Sequence, residues 1–361
     1  MLTVLAASLF GDRLLGDRFD IVRWERDTIA GKWLYLLGEP LRDDPSPDEA
    51  IARYFAAPPG SEERRRLEGA VEHALAGRID AAAREAGLRG ALPAPGTVFP
   101  PVNIELTQAP RVLVQSPRTV IQRLSTALLS PGLDAEDAAR IERDVEGDHP
   151  DRSALVVPSG GVATYPAIVA EGSSYAGTVS TAAHEWTHHY LQFYPLGFNY
   201  FSSRDATAIN ETVADIVGDE LRARIIEQWG DPTRPAATPT PTPTATATPP
   251  RRADVNATLR DLRLEVDALL AAGKVEEAEA RMEAVRQELW AAGFRIRRLN
   301  QAYFAWYGSY AARPDATDPL GGQLRELRRL SGSLERFVEV VRETSTRAEV
   351  LAALERLRAG G

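Results

Sequence analysis

The sequence predicts an α+β fold that is predominantly helical, with a small mixed β-sheet packed on two helices that carry histidines and carboxylates. Helical periodicity dominates before residue 97 and after residue 254, and short alternating apolar stretches lie between. The 361 residues are 44% hydrophobic and 26% charged, which is typical of a globular chain. Flanking helices and a helical hairpin complete the predicted architecture.

Composition limits the chemistry and the partners of this chain. The 42 basic and 51 acidic residues give a net charge of −9, which argues against nucleic acid as a partner. The sequence contains no cysteine, which excludes disulfides, thiol nucleophiles and cysteine metal sites. A metal ion would therefore be held by carboxylates and by some of the five histidines.

The N-terminal region, residues 1–96, is predicted to be helical. Residues 1–10 are apolar but too few to span a bilayer. Two interpretations stay open: the first turns of a buried helix, or the end of a longer segment that tethers the protein to a membrane. Further on, a helix ends near Gly38, a capping box at residues 46–49 begins a second helix, and Ser61 caps a third.

Residues 97–232 alternate between strand and helix patterns and form the predicted central core. Alternating or continuous apolar stretches bounded by turn residues predict the strands. They lie at 102–106, 112–114, 154–157 and 162–169. Helical periodicity predicts helices at 119–129, 134–145, 181–194 and 208–229.

A Pro/Thr-rich linker at 233–253 separates this core from the rest of the chain. Its alternating prolines favour an extended, exposed spacer, and such tracts are commoner in exported proteins. We therefore expect an extracytoplasmic, membrane-anchored protein, with a cytoplasmic location as the alternative. Apolar residues repeating at three and four predict a helical hairpin of coiled-coil character at 254–293, which is a candidate for self-association. The aromatic-rich region 294–361 should form helices that pack on the core.

Two histidines lie four positions apart in the segment HEWTH, at His184 and His188. On a helix these residues share one face, so both rings can reach one metal ion. Glu185 lies beside them, near the place of a metal-bound water. This is an instance of the HExxH pattern.

A catalytic metal site of this kind needs a third ligand. Metzincins supply a third histidine shortly after the motif, but the residues after His188 read HYLQF. The alternative is a carboxylate from the next helix, and Glu211 lies 23 positions further on. Asp215, one helical turn beyond, can accept a hydrogen bond from the outer nitrogen of a liganding histidine.

The HEWTH and NETVAD segments together resemble the gluzincin clan of zinc metallopeptidases, the thermolysin-like group. The resemblance covers roughly residues 102–229. It implies that His184, His188 and Glu211 bind one zinc ion, that Glu185 is the general base and that Asp215 orients a ligand histidine. It also implies an edge strand beside a peptide substrate. The candidate segment is Gly161, Val162, Ala163, Thr164 and Tyr165.

The leading hypothesis is therefore a zinc metallopeptidase that acts on peptide or protein substrates. The tetrahedral oxyanion needs a donor, for which Tyr307 is our candidate, with Tyr303, Tyr310 and Tyr165 as alternatives. A second hypothesis is a zinc-binding scaffold without catalysis, in which the hairpin presents an interaction surface. The intact Glu185 argues against this second hypothesis.

Overall fold

The computed structural model describes residues 16–38, 45–89, 96–172, 174–234, 252–308 and 319–359. The predictions for residues 1–10, for the Pro/Thr-rich tract at 235–250 and for Tyr310 lie outside these ranges. Within them, the predominantly helical α+β fold is confirmed. No helix in the described ranges combines the length and the hydropathy needed to cross a bilayer.

The described residues form six strands and thirteen helices. The strands are β1 (Ile104–Thr107), β2 (Arg111–Pro117), β3 (Ser125–Leu129), β4 (Arg152–Pro158), β5 (Gly161–Val162) and β6 (Ala167–Ala170). The helices are α1 (Ile21–Gly38), α2 (Pro47–Ala56), α3 (Glu62–Glu85), α4 (Ala135–Asp148), α5 (Tyr175–Leu191), α6 (Pro195–Phe198), α7 (Arg204–Trp229), α8 (Arg252–Ala271), α9 (Val275–Ala291), α10 (Gln301–Tyr307), α11 (Leu320–Leu330), α12 (Leu334–Val341) and α13 (Arg347–Ala359).

The chain folds into two compact units, each built from separate segments. The first comprises Met1–Phe19, Pro110–Pro158 and Thr240–Gly321. The second comprises Asp20–Ala109, Ser159–Pro239 and Gly322–Gly361. The predicted core at 97–232 is therefore divided between the units, and so is the predicted C-terminal region at 294–361.

The first unit contains an antiparallel sheet in the order β3-β2-β4. Strand β2 is buried on both faces, because α4 packs on one side and α10 on the other. Leu113 and Ile141 lie in the first of these two cores, and Val112 and Ala302 lie in the second. Asp134 caps α4: its side chain accepts hydrogen bonds from the backbone N–H groups of the first turn, in a capping box.

Helices α8 and α9 form a hairpin that belongs to the first unit. Their apolar stripe is buried together with Phe304 and Ala305 of α10. The Arg118 guanidinium after β2 forms a 2.7 Å ion pair with Glu279 of α9, which ties the hairpin to the sheet. The stripe that suggested self-association is thus covered inside this unit.

The second unit contains a mixed sheet in the order β1-β6-β5. Strands β1 and β6 are parallel, with Ile104 opposite Ala167, and β5 is antiparallel to β6, with Gly161 opposite Val169. Helix α5 packs on β6 and β5, and α7 packs along α5. Trp186 of α5 is almost fully buried, and its indole N–H donates to the Pro100 carbonyl at 2.9 Å.

Two of the predicted elements were wrong. Residues 119–129 were expected to be helical, but 125–129 form β3, because pairing with β2 satisfies their backbone groups. The single strand expected at 162–169 is interrupted. The Thr164 N–H donates to the Val162 carbonyl at 2.7 Å, and its hydroxyl donates to the Pro166 carbonyl, so the backbone turns between β5 and β6.

Candidate metal centre

Helices α5 and α7 run antiparallel and bring the two motifs together in the second unit. Ser180 contacts Asp219 at 3.2 Å, and His188 contacts Asn210 at 2.7 Å, so residue numbers fall on one helix as they rise on the other. Serine caps begin both helices: Ser174 accepts from the Gly177 N–H, and Ser203 accepts from the Ala206 N–H. The register therefore places Glu211 opposite the two histidines.

A glycine allows the two helices to approach closely at this point. A Cβ atom on Gly218 would lie 2.9 Å from the Ser180 carbonyl oxygen and 3.2 Å from the His184 backbone nitrogen. Both atoms belong to the backbone of α5, so they cannot swing aside. Gly218 thus sets the distance at which side chains of α7 reach the HEWTH motif.

Three side-chain atoms converge between the helices. The Nε2 atoms of His184 and His188 lie 3.0 Å apart, and Glu211 Oε2 lies 3.4 and 3.7 Å from them respectively. Ligand atoms bound tetrahedrally to one zinc ion at about 2.0–2.1 Å would be about 3.3 Å apart. The three atoms therefore match the spacing of a single metal-binding set.

The outer nitrogens of both rings are held by neighbours on α7. Asp215 Oδ1 lies 2.9 Å from His184 Nδ1, and Asn210 Oδ1 lies 2.7 Å from His188 Nδ1. A carboxylate and an amide oxygen accept hydrogen bonds, so each Nδ1 carries the proton and each Nε2 presents a lone pair inward. Asn210 was not singled out from the sequence, although it adjoins Glu211 in the same motif.

The donor set fits a metal cation. The Nε2 lone pairs of the two rings and Glu211 Oε2 face one point, where a cation would be attracted to all three atoms. Burial opposes a charge on His184, but its contacts with Asp215 and Glu211 raise its pKa well above the ordinary value. Burial likewise opposes ionisation of Glu211, but the neighbouring His188 and His184 rings and the Tyr200 hydroxyl lower its pKa to about 2. Burial lowers the pKa of His188, so this ring favours its neutral form beside the ionised Glu211.

Glu185 lies next to this centre, against the edge of the mixed sheet. Its carboxyl group is buried, and burial raises its pKa to about 7. A Cβ atom on Gly161 would lie 2.6 Å from Glu185 Oε1, so the absent side chain of Gly161 leaves the space that the carboxyl group fills. A carboxyl group with a pKa near neutrality can both take and return a proton.

Only the first part of the predicted substrate segment, residues 161–165, forms an edge strand beside Glu185. Gly161 and Val162 form the edge strand β5, whereas residues 163–165 belong to the turn that follows. Thr164 is buried, and the Tyr165 hydroxyl donates to the Pro101 carbonyl at 3.3 Å. The Tyr165 backbone N–H donates to Glu25 of α1 at 3.1 Å.

A tyrosine that the sequence did not reveal contacts the centre. The Tyr200 hydroxyl donates to Glu211 Oε1, and its ring meets His188 edge-on at a centroid distance of 5.9 Å. Tyr200 lies in the connection between the two motif helices. This position in the sequence was the one indication that it could lie near the centre. Tyr307, the candidate from the sequence, lies in α10 of the first unit, half-buried beside Tyr303.

One further group of three carboxylates occurs in the described residues, at Glu68, Glu72 and Glu105 of the second unit. This group contains its own cation. The Lys32 ammonium contacts Glu72, lies 2.8 Å from Glu105 and donates to the Ile104 carbonyl at 2.6 Å. We therefore assign this group a structural role.

Comparison with known proteins found no matching family model, no similar curated protein and no similar solved structure. The resemblance to gluzincins accordingly depends on the two motifs.

Proposed function

We propose that this protein is a zinc-dependent metallopeptidase. The observation that carries the proposal is the convergence of His184, His188 and Glu211 at metal-ligand spacing, with Glu185 adjacent. Two neutral imidazoles and one carboxylate are a donor set that suits zinc and leaves a coordination position open. A bound zinc ion would lower the pKa of its water and polarise a peptide carbonyl.

Side chains of this protein would transfer the proton and orient the metal ligands. Glu185 takes a proton from the attacking water and returns it to the leaving amine, which its buried carboxyl group suits. Asp215 and Asn210 hold the two rings with their Nε2 atoms inward. These contacts orient the ligands before substrate binds, so little rearrangement is needed during the reaction.

Substrate binding and oxyanion stabilisation follow from neighbouring groups. A peptide extended along the open side of β5 would pass Glu185, because β5 is the edge strand of its sheet. For the oxyanion we propose Tyr200, whose hydroxyl would transfer its single hydrogen bond from Glu211 to the oxyanion. Tyr307 stays a prediction.

The test compares metal content and peptide cleavage in matched variants. We expect about one zinc per chain by elemental analysis and cleavage of casein or of a quenched fluorescent peptide mixture. Glu185→Gln should keep the zinc and lower kcat at least about 100-fold, whereas Glu211→Gln should lose the zinc. Cleavage by Glu185→Gln at the wild-type rate would refute the mechanism. Zinc without turnover in the wild type would favour the scaffold hypothesis.

A further inference from the structure

The connection between α5 and α7 exposes three phenylalanine rings. Phe193, Phe198 and Phe201 are 55%, 71% and 68% exposed. Within the described ranges, Phe198 and Phe201 are the most exposed large hydrophobic side chains. We call residues 193–201 the aromatic segment. Exposure on this scale indicates projecting rings and not the lining of a pocket.

The aromatic segment lies in an uncharged stretch of the sequence. Residues 190–203 contain no Asp, Glu, Lys or Arg, although these make up 26% of the chain. Exposed segments of soluble proteins normally contain charged residues among the others. A contiguous exposed apolar patch therefore marks a contact surface.

Backbone hydrogen bonds and tight packing anchor the aromatic segment to the rest of the second unit. Leu196 is fully buried, and its backbone N–H donates to the Arg342 carbonyl at 3.0 Å. A Cβ atom on Gly197 would lie only 2.1 Å from the Leu191 carbonyl oxygen, so the backbone packs tightly there. The Asn199 amide closes the turn by donating to the Pro195 carbonyl at 2.9 Å.

The segment also adjoins the candidate metal centre. The rings of Phe201 and Tyr200 are 4.6 Å apart, and Tyr200 in turn contacts His188 and Glu211. Whatever covers Phe201 therefore lies one aromatic ring away from the proposed metal ligands.

The exposed area indicates what kind of partner fits. The exposed parts of the three rings amount to about 400 Å², since a whole aromatic side chain offers roughly 200 Å². A specific protein interface needs about 800 Å² on each partner, with a polar rim. Insertion into the interfacial region of a bilayer requires neither that area nor a complementary shape.

We propose that the aromatic segment docks on the surface of a phospholipid bilayer, with Phe198 and Phe201 inserted at the level of the headgroups. Exposed aromatic side chains in an uncharged segment suit this region, where an apolar ring is shielded from water. If the proposed function also holds, the substrates are peptide segments close to a membrane surface.

The test measures sedimentation of the full chain with phosphatidylcholine vesicles. The variant Phe198→Ser/Phe201→Ser should bind at least about tenfold more weakly than the wild type, because most of the inserting surface is lost. The control variant Val22→Ser/Leu264→Ser removes two side chains that are 63% and 56% exposed elsewhere, and it should bind like the wild type. Circular dichroism checks the fold, and the single variants replace the double one if it misfolds.

Three outcomes would overturn the proposal. The first is a wild type that does not sediment with vesicles, and the second is equal binding by the Phe198/Phe201 variant. The third is a wild type that forms a dimer by light scattering and does not bind vesicles, together with a Phe198/Phe201 variant that is monomeric. A second copy of the chain would then be what covers the segment. Glu185→Gln should bind vesicles like the wild type, so a failed peptidase assay leaves this result independent.

Discussion

At the scale of single residues, the hydrogen bonds behind the ligands decide how the histidines present themselves. A free imidazole exchanges its proton between two nitrogens, and only one tautomer offers Nε2 to a metal. Asp215 and Asn210 select that tautomer for His184 and His188. Their contribution should therefore appear in metal affinity even though neither residue is itself a proposed ligand.

Asp215→Ala is expected to weaken zinc binding about 10–100-fold, because the His184 ring loses the acceptor that orients it. Asp215→Asn should weaken it less, since the amide oxygen can still accept from Nδ1. Competition with a fluorescent chelator measures the affinity. Asp219→Ala, one helical turn further along α7, is the matched control and should bind zinc like the wild type. An unchanged affinity in Asp215→Ala would contradict the assigned role.

Gly161→Ala is expected to reduce peptide cleavage about 10–100-fold while zinc stays bound. The new Cβ would lie 2.6 Å from Glu185 Oε1 and 2.8 Å from the Ile168 carbonyl oxygen, so the proposed general base must move. The neighbouring Gly160 is the control, because its added Cβ would meet nothing closer than Thr181 at 4.0 Å. Comparable losses of kcat/KM in both variants would show that the effect is not specific to Glu185.

At the scale of secondary-structure elements, the centre depends on how closely α7 approaches α5. Gly218→Ala should lower stability by about 1–3 kcal/mol and weaken zinc binding, because the methyl group overlaps the backbone of α5 near His184. Thermal unfolding with and without zinc measures both effects. Gly77→Ala in α3 is the control. Its Cβ would meet no atom within 4 Å, so helix propensity should make it neutral or stabilising. A stabilising effect in Gly218→Ala would contradict the close approach.

The elements differ in how far the sequence could predict them. Helices with a clear apolar stripe, such as α3, which Ser61 caps, and α9, match the prediction closely. Residues 119–129 do not match the prediction. The pairing of β3 with β2 joins separate segments of the chain, and hydrophobic periodicity within one segment does not reveal such pairing. His184, His188 and Glu211 follow from helical spacing within two short motifs. Tyr200 and Gly218 depend on how the helices are placed, which spacing alone does not specify.

At the scale of the whole molecule, the chain crosses between its two units more than once. Residues 110–158 belong to the first unit, and the segments on either side of them belong to the second. A division of the sequence at changes of composition produces contiguous domains, so it could not predict this arrangement. The proposed ligands, Glu185, Tyr200 and β5 nevertheless all lie in the second unit.

The stability of the second unit should depend on pH through Glu68. Burial, with Glu105 and Glu171 nearby, raises the pKa of Glu68 to about 7, although Lys32 and Arg65 act in the opposite direction. The folded state thus binds this proton more tightly than the unfolded state, where the pKa is about 4.3. The stabilisation is complete below that value and is lost as the pH rises through about 7.

Between pH 5 and pH 8, the wild type should therefore lose about 1 kcal/mol more than Glu68→Gln, a figure reduced for solvent screening of a half-buried group. Urea unfolding at both pH values, with a chelator present throughout, measures the difference. Glu62→Gln, an exposed position in the first turn of the same helix, should retain the wild-type loss. Parallel pH dependences in the wild type and Glu68→Gln would show that the cluster around Lys32 keeps Glu68 ionised in the folded state.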